Sequence, residues 1–382
     1  MSNTLAAYDP IFYAQEALIQ LEKALGLSGR VHRGYDKNPQ EKGSTITISA
    51  PSTFIAQDAP SSAQAVSASS ISISLDYWKE VKFALTDKEL SFTGEKIITD
   101  HIRPAAYALA DKIDQILAGL YVDIPWYMSW SSPAAVGDVT SLRQILFDNK
   151  VPLNVPGMVH CMVDGQIGKE LLDISAFTQN QGGGQAAVNT QMTGHLGTRY
   201  GIEFFENQNT PSHTSGTMAD PAGAVDLVAG YDAGTKTIHV DSITAAGTLK
   251  AGDIMTVTGH TQKYVLTADA TADGGGDIDV SFEPGLESAV VNDQVVTFTV
   301  LGSAKTQCLA FHQHAFALAM APLSELGNQL GAKIATVHDP VSNLALRSRL
   351  YYDGDNSKVV VALDCLFGVR TLNRNLAARG SN

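Results

Sequence analysis

The residues that could do chemistry lie in four short stretches. His312 and His314 stand two apart. On a helix that spacing makes them diverge, whereas metal ligands want three or four, so a packed or exposed histidine pair is favoured over a metal site. Asp269, Asp273, Asp277 and Asp279 surround the glycine tract Gly274, Gly275 and Gly276. Carboxylates at that density could hold calcium, but the order is not that of an EF-hand and no bidentate Glu follows in the required place; a polar hairpin turn explains them better. Gly182, Gly183 and Gly184 are not followed by Lys-Ser/Thr and do not sit between a strand and a helix, so they do not make a phosphate loop. His213, Ser215 and Asp220 supply base, hydroxyl and acid, but lack the frame of a nucleophile elbow. No residue is therefore assigned a catalytic, cofactor-binding or metal role, no cofactor is expected, and the chain does not read as an enzyme.

The bulk properties point the same way. The 382 residues are enough for two or three domains. The net charge of −13, with no basic run, argues against a free-standing nucleic-acid binder. Cys161, Cys308 and Cys365 are odd in number and far apart, which suits reduced thiols. The opening MSNTLAAYDPIFYAQEAL has no positive region ahead of an apolar block, so a signal peptide is not expected. No apolar run approaches the length of a membrane span, and no membrane contact is expected.

The longest periodic element runs from Glu95 to Tyr121. Ile98, Ile102, Ala105, Leu109, Ile113, Ile116 and Leu120 make one helical stripe, with Lys96, Asp100, Asp111, Lys112 and Asp114 opposite. Thr93 is the expected N-cap, and Gly119 sits near the end. Pro104 predicts either a kink or a second helix that starts there. Ahead of it, Asp9-Pro10 opens a short helix with Ile11, Ala14, Leu18, Leu21 and Leu25 on one face, stopped by Gly26 and Gly29. That helix can dock on its own domain or on a neighbouring subunit. STITIS (44–49) and SISISL (70–75) alternate strictly and read as two strands. A lone hairpin of this kind is marginal in water, so its isoleucines need another surface, which is expected to come from an assembly. The Ala/Ser/Pro-rich residues 50–69 between them are expected to be mobile in a free subunit. Residues 77–85 continue as a strand, and Thr86 with Glu89 is spaced as a capping box.

A mixed α/β stretch follows from Asp138 to Asn209. Asp138 caps a helix with Leu142, Ile145 and Leu146 inward. Met158 to Asp164 reads as a strand, Gln166 to Leu172 as a short helix, NQGGGQAAVNTQMTG as a flexible loop, and Gly197 to Asn207 as one strand. Composition changes at Asp220. Residues 222–301 hold five alternating runs (TKTIHVDSI, DIMTVTG, QKYVLTA, GDIDVSF, QVVTFTV), which predict a small barrel or sandwich inserted into the chain. Its expected core is Ile238, Val240, Ile254, Val257, Val265, Val280, Phe282, Val295, Val296 and Phe298. Eleven acidic residues against three lysines give the segment a net charge of −8. Cys308 to Leu326 fits helix or strand equally, and the chain closes on a long hairpin turning at Asp353 to Asn356.

This order of parts resembles the major capsid (coat) protein of tailed double-stranded DNA bacteriophages, the Hong Kong ninety-seven fold. It looks most like the branch with an insertion domain typified by the coat protein of Salmonella phage P-twenty-two. The stretches that carry the resemblance are LSFTGEKIITDHIRPAAYALADKIDQILAGLY, LKAGDIMTVTG, LAFHQHAFALAMAPL and HDPVSNLALRSRLYYDGDNSKVVVALDCLFGVRTLNRNLA. The resemblance implies an α+β fold with an inserted all-β domain. Residues 1–32 would be the N-arm and 33–90 the E-loop. Residues 91–133 would carry the P domain's spine helix, 134–220 and 302–340 the A domain, 221–301 the insertion domain, and 341–382 the C-terminal hairpin of the P domain. One departure is that AGAVDLVAGYDAG is short, so a long loop that bridges capsomers in some relatives has no clear counterpart.

The function implied is structural: copies assemble as pentamers and hexamers into an icosahedral shell around phage DNA. The partners implied are the chain itself, a scaffolding protein, a portal, in some relatives a decoration protein, and non-specific contact with the packaged DNA. The location implied is the virion, assembled in the bacterial host cytoplasm. Rival readings are an α/β enzyme with an appended β binding module, and a phage tail or adhesin protein.

Overall fold

Pro10 opens helix α1 (Pro10–Ala24), where its fixed φ and missing N–H suit the first position. Tyr13, Ala14, Ala17, Leu18 and Leu21 are buried, and the helix lies against two strands of its own unit, named below as β19 and β20. In this computed structural model the residues described are 10–33, 44–50, 58–59, 63, 69–86, 101–218, 222–299, 304–325, 332–339, 344–356 and 358–381. The chain divides into two units, Met1–Leu117 with Phe316–Leu372, and Ala118–Ala315 with Asn373–Asn382. Most of residues 50–69, Glu89 of the capping pair, Thr93, Lys96, Ile98 and Asp100 lie outside the described residues.

In the first unit, strands β1 (Thr45–Ala50) and β2 (Ser69–Ser74) pair antiparallel, with Ile46 opposite Ile73 and Ile48 opposite Ile71. The expectation that this hairpin lacks a surface of its own is corrected. Ile46, Ile73 and Leu75 are buried against Ala317, Ala319, Ala321 and Leu366 of the same unit. Small side chains on the underlying sheet make the close approach feasible. At Gly368 a Cβ would stand 2.3 Å from the Ser74 carbonyl oxygen. Strand β3 (Tyr77–Thr86) follows as the sequence predicts.

Helix α2 (Arg103–Ala118) begins one residue before Pro104, after a π-type turn at 101–102, and runs on as a 3-10 turn from Gly119 to Asp123. Pro104 is thus the second residue of the α-helical run, directly after the π-type turn. Ile102, Ala105, Leu109 and Ile113 form the buried stripe. Asp114 is corrected from the exposed face: it is 3% exposed. Its carboxylate accepts from the backbone N–H groups of Gly26, Leu27 and Ser28 at 2.8, 3.0 and 2.9 Å, and from the Ser28 hydroxyl. A turn whose N–H groups converge is an anion nest, and here the anion is a side chain.

The second unit begins with β4 (Tyr127–Ser129) and α3 (Val136–Asp148). Asp138 is the third residue of α3, and its carboxylate accepts from the Ala135 N–H at 2.8 Å. Strand β5 (Val159–Val163), wholly buried, leads into α4 (Gly165–Asp173), capped by Asp164 through the Ile167 N–H at 2.8 Å. Two short helices follow, α5 (Ser175–Thr178) and α6 (Asn180–Thr193). The expected flexible loop is therefore a helix. Glycine costs a helix about 1 kcal/mol each but does not forbid one. Here the buried Ala187 and Thr190 hold it, Arg199 donates to the Thr190 hydroxyl at 2.9 Å, and Gly194 ends it at φ 74°. The single strand expected at 197–207 is two, β6 (Gly197–Arg199) and β7 (Ile202–Glu206), because Tyr200 and Gly201 both take positive φ and turn the chain back. Strand β8 (Ser212–His213) is short.

All five alternating runs are strands of a closed barrel. Its members are β9 (Ala222–Val225), β10 (Thr237–Asp241), β12 (Ile254–Val257), β13 (Tyr264–Leu266), β15 (Ile278–Glu283) and β16 (Val295–Thr299), with β11 (Thr248–Leu249) and β14 (Ala270–Thr271) paired beside it. The sequence missed β9, which closes the barrel between β16 and β10. Of the expected core, Ile254 and Val265 lie outside the interior cluster and Val295 is 47% exposed. Adjacent strand residues point oppositely, so Met255, Tyr264 with Leu266, and Val296 take the interior instead.

Cys308 to Leu326 resolves into two strands, β17 (Lys305–His312) and β18 (Phe316–Ala321). β19 (Lys333–Asp339), β20 (Leu344–Asp353) and β21 (Lys358–Thr371) complete the first unit's sheet, in order β18-β21-β20-β19 with β3 also on β21. The closing hairpin turns where the sequence predicts, with Asp353 opposite Lys358. The chain then ends in the second unit as β22 (Ala377–Ser381), in the sheet β4-β22-β17-β5-β7-β6 with β8 also on β17.

Two outcomes follow. Asp114→Ala leaves the Gly26–Ser28 donors without their acceptor. It should cost about 2–3 kcal/mol and speed amide exchange at those residues in the intact chain; unchanged exchange there would contradict the clamp. A fragment of residues 221–301 should melt cooperatively with a dispersed amide spectrum, whereas one starting at 233, which lacks β9, should not.

Candidate functional site

The densest polar cluster of the second unit lies where the barrel's β11–β12 turn meets β8 and β22. Gly252 makes the turn at φ 96°. A Cβ there would stand 3.1 Å from the His213 ring and 3.2 Å from Val122, so only glycine lets these segments close. The next residue, Asp253, is 1% exposed. Its carboxylate accepts from His213 Nε2 at 2.9 Å, from the Lys250 N–H at 2.7 Å and from the Gly216 N–H at 3.2 Å, and Ser215 adds its side chain. The other ring nitrogen, His213 Nδ1, is 3.0 Å from the Tyr121 hydroxyl. Arg379 of β22, 2% exposed, donates through Nη2 to the Gly252 carbonyl and lies over the Tyr121 ring, 5.7 Å from its centroid.

The electrostatics fix the roles. Burial pushes Asp253 up, but the hydrogen bonds from His213, Lys250, Ser215 and Gly216 outweigh it and hold the carboxyl below its ordinary value. Burial raises the Tyr121 hydroxyl, so it stays protonated. Asp253 then accepts from a protonated Nε2, and in neutral His213 Nδ1 accepts from Tyr121. Burial lowers Arg379 to about 10, which still leaves it charged at neutral pH.

An Asp–His–Tyr array with a serine beside it has the residue types of a proton relay. The cavity it borders has room for about one water molecule. What the geometry does is tie the barrel's turn, β8 and β22 together through buried polar groups, with Arg379 Nε and Nη1 left without a hydrogen-bond partner among the described residues.

The first unit carries a second cluster of this kind. Asp364, wholly buried, accepts from Arg347 Nε and Nη2 at 3.0 and 2.6 Å and from Trp78 Nε1 at 3.0 Å, with Arg349 3.3 Å away. Arg347 stands directly opposite Asp364 in the β20–β21 register and Glu80 opposite it on β3, so one carboxylate fixes three strands.

Of the residues singled out by sequence, His213 and Ser215 come together, but on Asp253; Asp220 lies outside the described residues. His312 and His314 share a tight turn with rings 5.4 Å apart, and burial, then His314 and His160, lowers the His312 pKa. No group of three or more His, Cys, Asp or Glu among the described residues could hold a metal ion. The aspartates around the glycine tract turn to separate partners: Asp269 to Lys250, Asp279 to His239, and Asp273 to the N–H groups of Gly275, Gly276 and Asp277. Gly182–Gly184 lie in the first half of α6. Asp253 and Arg379 were missed because each sits in an ordinary local context. Asp364 had a signal, a lone charge inside the apolar run VVVALDCLFGV.

No protein-family model and no curated protein matches the sequence. Solved structures do resemble it. A chain from the capsid of Ralstonia phage GP4 is 8% identical and aligns over 94% of this chain and 88% of its own, at a TM-score of 0.49. A chain from Mycobacterium phage Che8 is 14% identical over 93% of this chain and 90% of its own, at 0.48. One from the capsid of cyanophage P-SCSP1u is 10% identical over 92% and 86%, at 0.46.

Asp253→Ala should cost about 3–5 kcal/mol, because it strands buried donors. Arg379→Met, of similar shape, should cost about 1–3 kcal/mol, because the buried Gly252 carbonyl loses its donor. Because the Asp253 pKa is depressed in the fold, its stabilisation is complete above the unfolded value of about 4 and is lost as pH falls below it. Melting curves from neutral pH downward should show this loss in the parent and less of it in Asp253→Asn; equal acid slopes would contradict the assignment.

Proposed function

We propose that the chain is the major capsid subunit of a tailed double-stranded DNA bacteriophage, in the insertion-domain branch of the Hong Kong ninety-seven fold. The observation that carries this reading is the interruption of one sheet by a closed barrel. Strand β8 ends at His213, β17 begins at Lys305, and these two residues pair side by side. The barrel strands all fall between them. A closed barrel leaves no open edge to its host, which is what lets a module be inserted without disturbing the strands around it.

The parts on either side fit the same reading. An N-terminal helix, a two-stranded hairpin, a helix with a proline in its first turn, an α/β sheet and a long closing hairpin occur in the order of that family. On this reading residues 1–32 are the N-arm, 33–90 the E-loop, 91–133 and 341–382 the P domain, 134–220 and 302–340 the A domain, and 221–301 the insertion domain. Copies assemble as pentamers and hexamers, with a scaffolding protein and a portal, into an icosahedral shell. The net charge of −13 is compatible with a wall that confines DNA without gripping it. Among the described residues the Asp253–His213–Tyr121 array is the one feature that favours an enzyme, and the small volume of the cavity it borders argues against that.

Expression with the neighbouring genes of its source, followed by sedimentation, tests the proposal. Shell-sized particles containing the chain are expected; a chain that stays monomeric under every assembly condition would overturn it.

A further inference from the structure

One end of the barrel exposes apolar side chains that its own core does not use. Leu227, Val228 and Ala229 are consecutive and all exposed, Val228 at 92%. Ala289 and Val291 are exposed beside them, Val291 at 66%. The backbone holds the two stretches together. Tyr231 and Val290 exchange N–H···O bonds at 2.9 Å each, the Leu227 N–H donates to Asn292 Oδ1 at 3.0 Å, and Asp293 donates to the Val225 carbonyl at 2.9 Å. Gly230 approaches so closely that a Cβ would stand 2.2 Å from the Val290 carbonyl oxygen. The result is a braced apolar knob. Exposed apolar residues gathered on a braced turn, rather than scattered singly, are a candidate contact surface.

The charges around the knob select the partner. Asp226, Asp232 and Asp293 flank it and are exposed. Every lysine of the barrel is already engaged: Lys236 with Glu283, Lys250 with Asp269, and Lys263 with the Tyr127 carbonyl. A second barrel of the same kind would bring a charge of −8 against −8, which opposes self-docking at this surface. We propose that the knob of Leu227, Val228 and Val291 is a docking site for a separate protein that presents an apolar pocket rimmed by lysine or arginine. On the capsid reading, on which the inference rests for its setting alone, the partner would be an accessory protein seated on the insertion domain.

The full-length chain, assembled or not, is titrated with a short peptide alternating leucine and lysine, and with its leucine–glutamate counterpart. Amide exchange reads where each binds. The lysine peptide should protect residues 227–229 and 289–291, the glutamate peptide should not, and raised salt should weaken the effect. Val228→Asp with Val291→Asp should weaken binding by at least about tenfold, since two apolar anchors are lost. Simple attraction of a cation to an acidic surface would instead be strengthened by that variant, and would overturn the proposal. Protection elsewhere would overturn it too. Protection of the knob already present in particles of the chain alone would make a second copy the occupant. Absence of particles is read separately by sedimentation; it counts against the capsid reading and leaves the peptide result to decide the knob.

Discussion

A carboxylate cannot be buried without partners. Removing one from water costs several kcal/mol, and only a full set of donors offsets that cost. Asp114, Asp253 and Asp364 are each almost fully buried, and each draws its donors from segments distant in sequence. Asp114 takes the turn after α1, 86 to 88 residues away. Asp253 takes His213 and the backbone around Gly216. Asp364 takes Arg347 and Trp78. Apolar packing alone would tolerate a shifted helix or a slipped strand at these joints. A carboxylate with three or four fixed donors would not.

On the proposed capsid reading, a subunit that presents the same surfaces in many copies needs each module held in one pose. In the first unit Asp114 fixes where α1 ends, and Asp364 fixes the register of β3, β20 and β21. In the second, Asp253 and Arg379 pin a closed barrel that packs around a core of its own, to which Met218 adds. Their polar array has the look of catalytic machinery, and burial is what separates the two uses. The same Asp–His pair facing an open cleft could move protons; here both residues are buried and tie chain segments together.

Much of the architecture was legible in the sequence because it rests on local periodicity. The alternation in the five barrel runs, the stripe of α2 and the closing turn at Asp353 each follow from side-chain direction. What escaped was set by long-range pairing. β9, the four residues AGAV, has too little hydrophobic contrast to read as a strand and exists because β10 and β16 flank it. The glycine-rich helix α6 is held by contacts that local propensity does not contain. Asp114 looked solvent-facing because the helix wheel cannot know that three N–H groups approach from residues 26–28. The polar clusters were the least legible part, since Asp253 and Arg379 are 126 residues apart in number and meet only in the fold. Asp364 was not singled out either, although a lone charge in an apolar strand needs a partner and was the signal available.

Electron cryomicroscopy of the purified, self-associated chain tests the central claim most directly. The account predicts closed particles whose reconstruction resolves five- and six-fold clusters of this chain, each copy carrying the barrel as a distinct density joined at the β8–β17 pair. Solitary subunits, or open and irregular aggregates lacking five- and six-fold clusters, would contradict it.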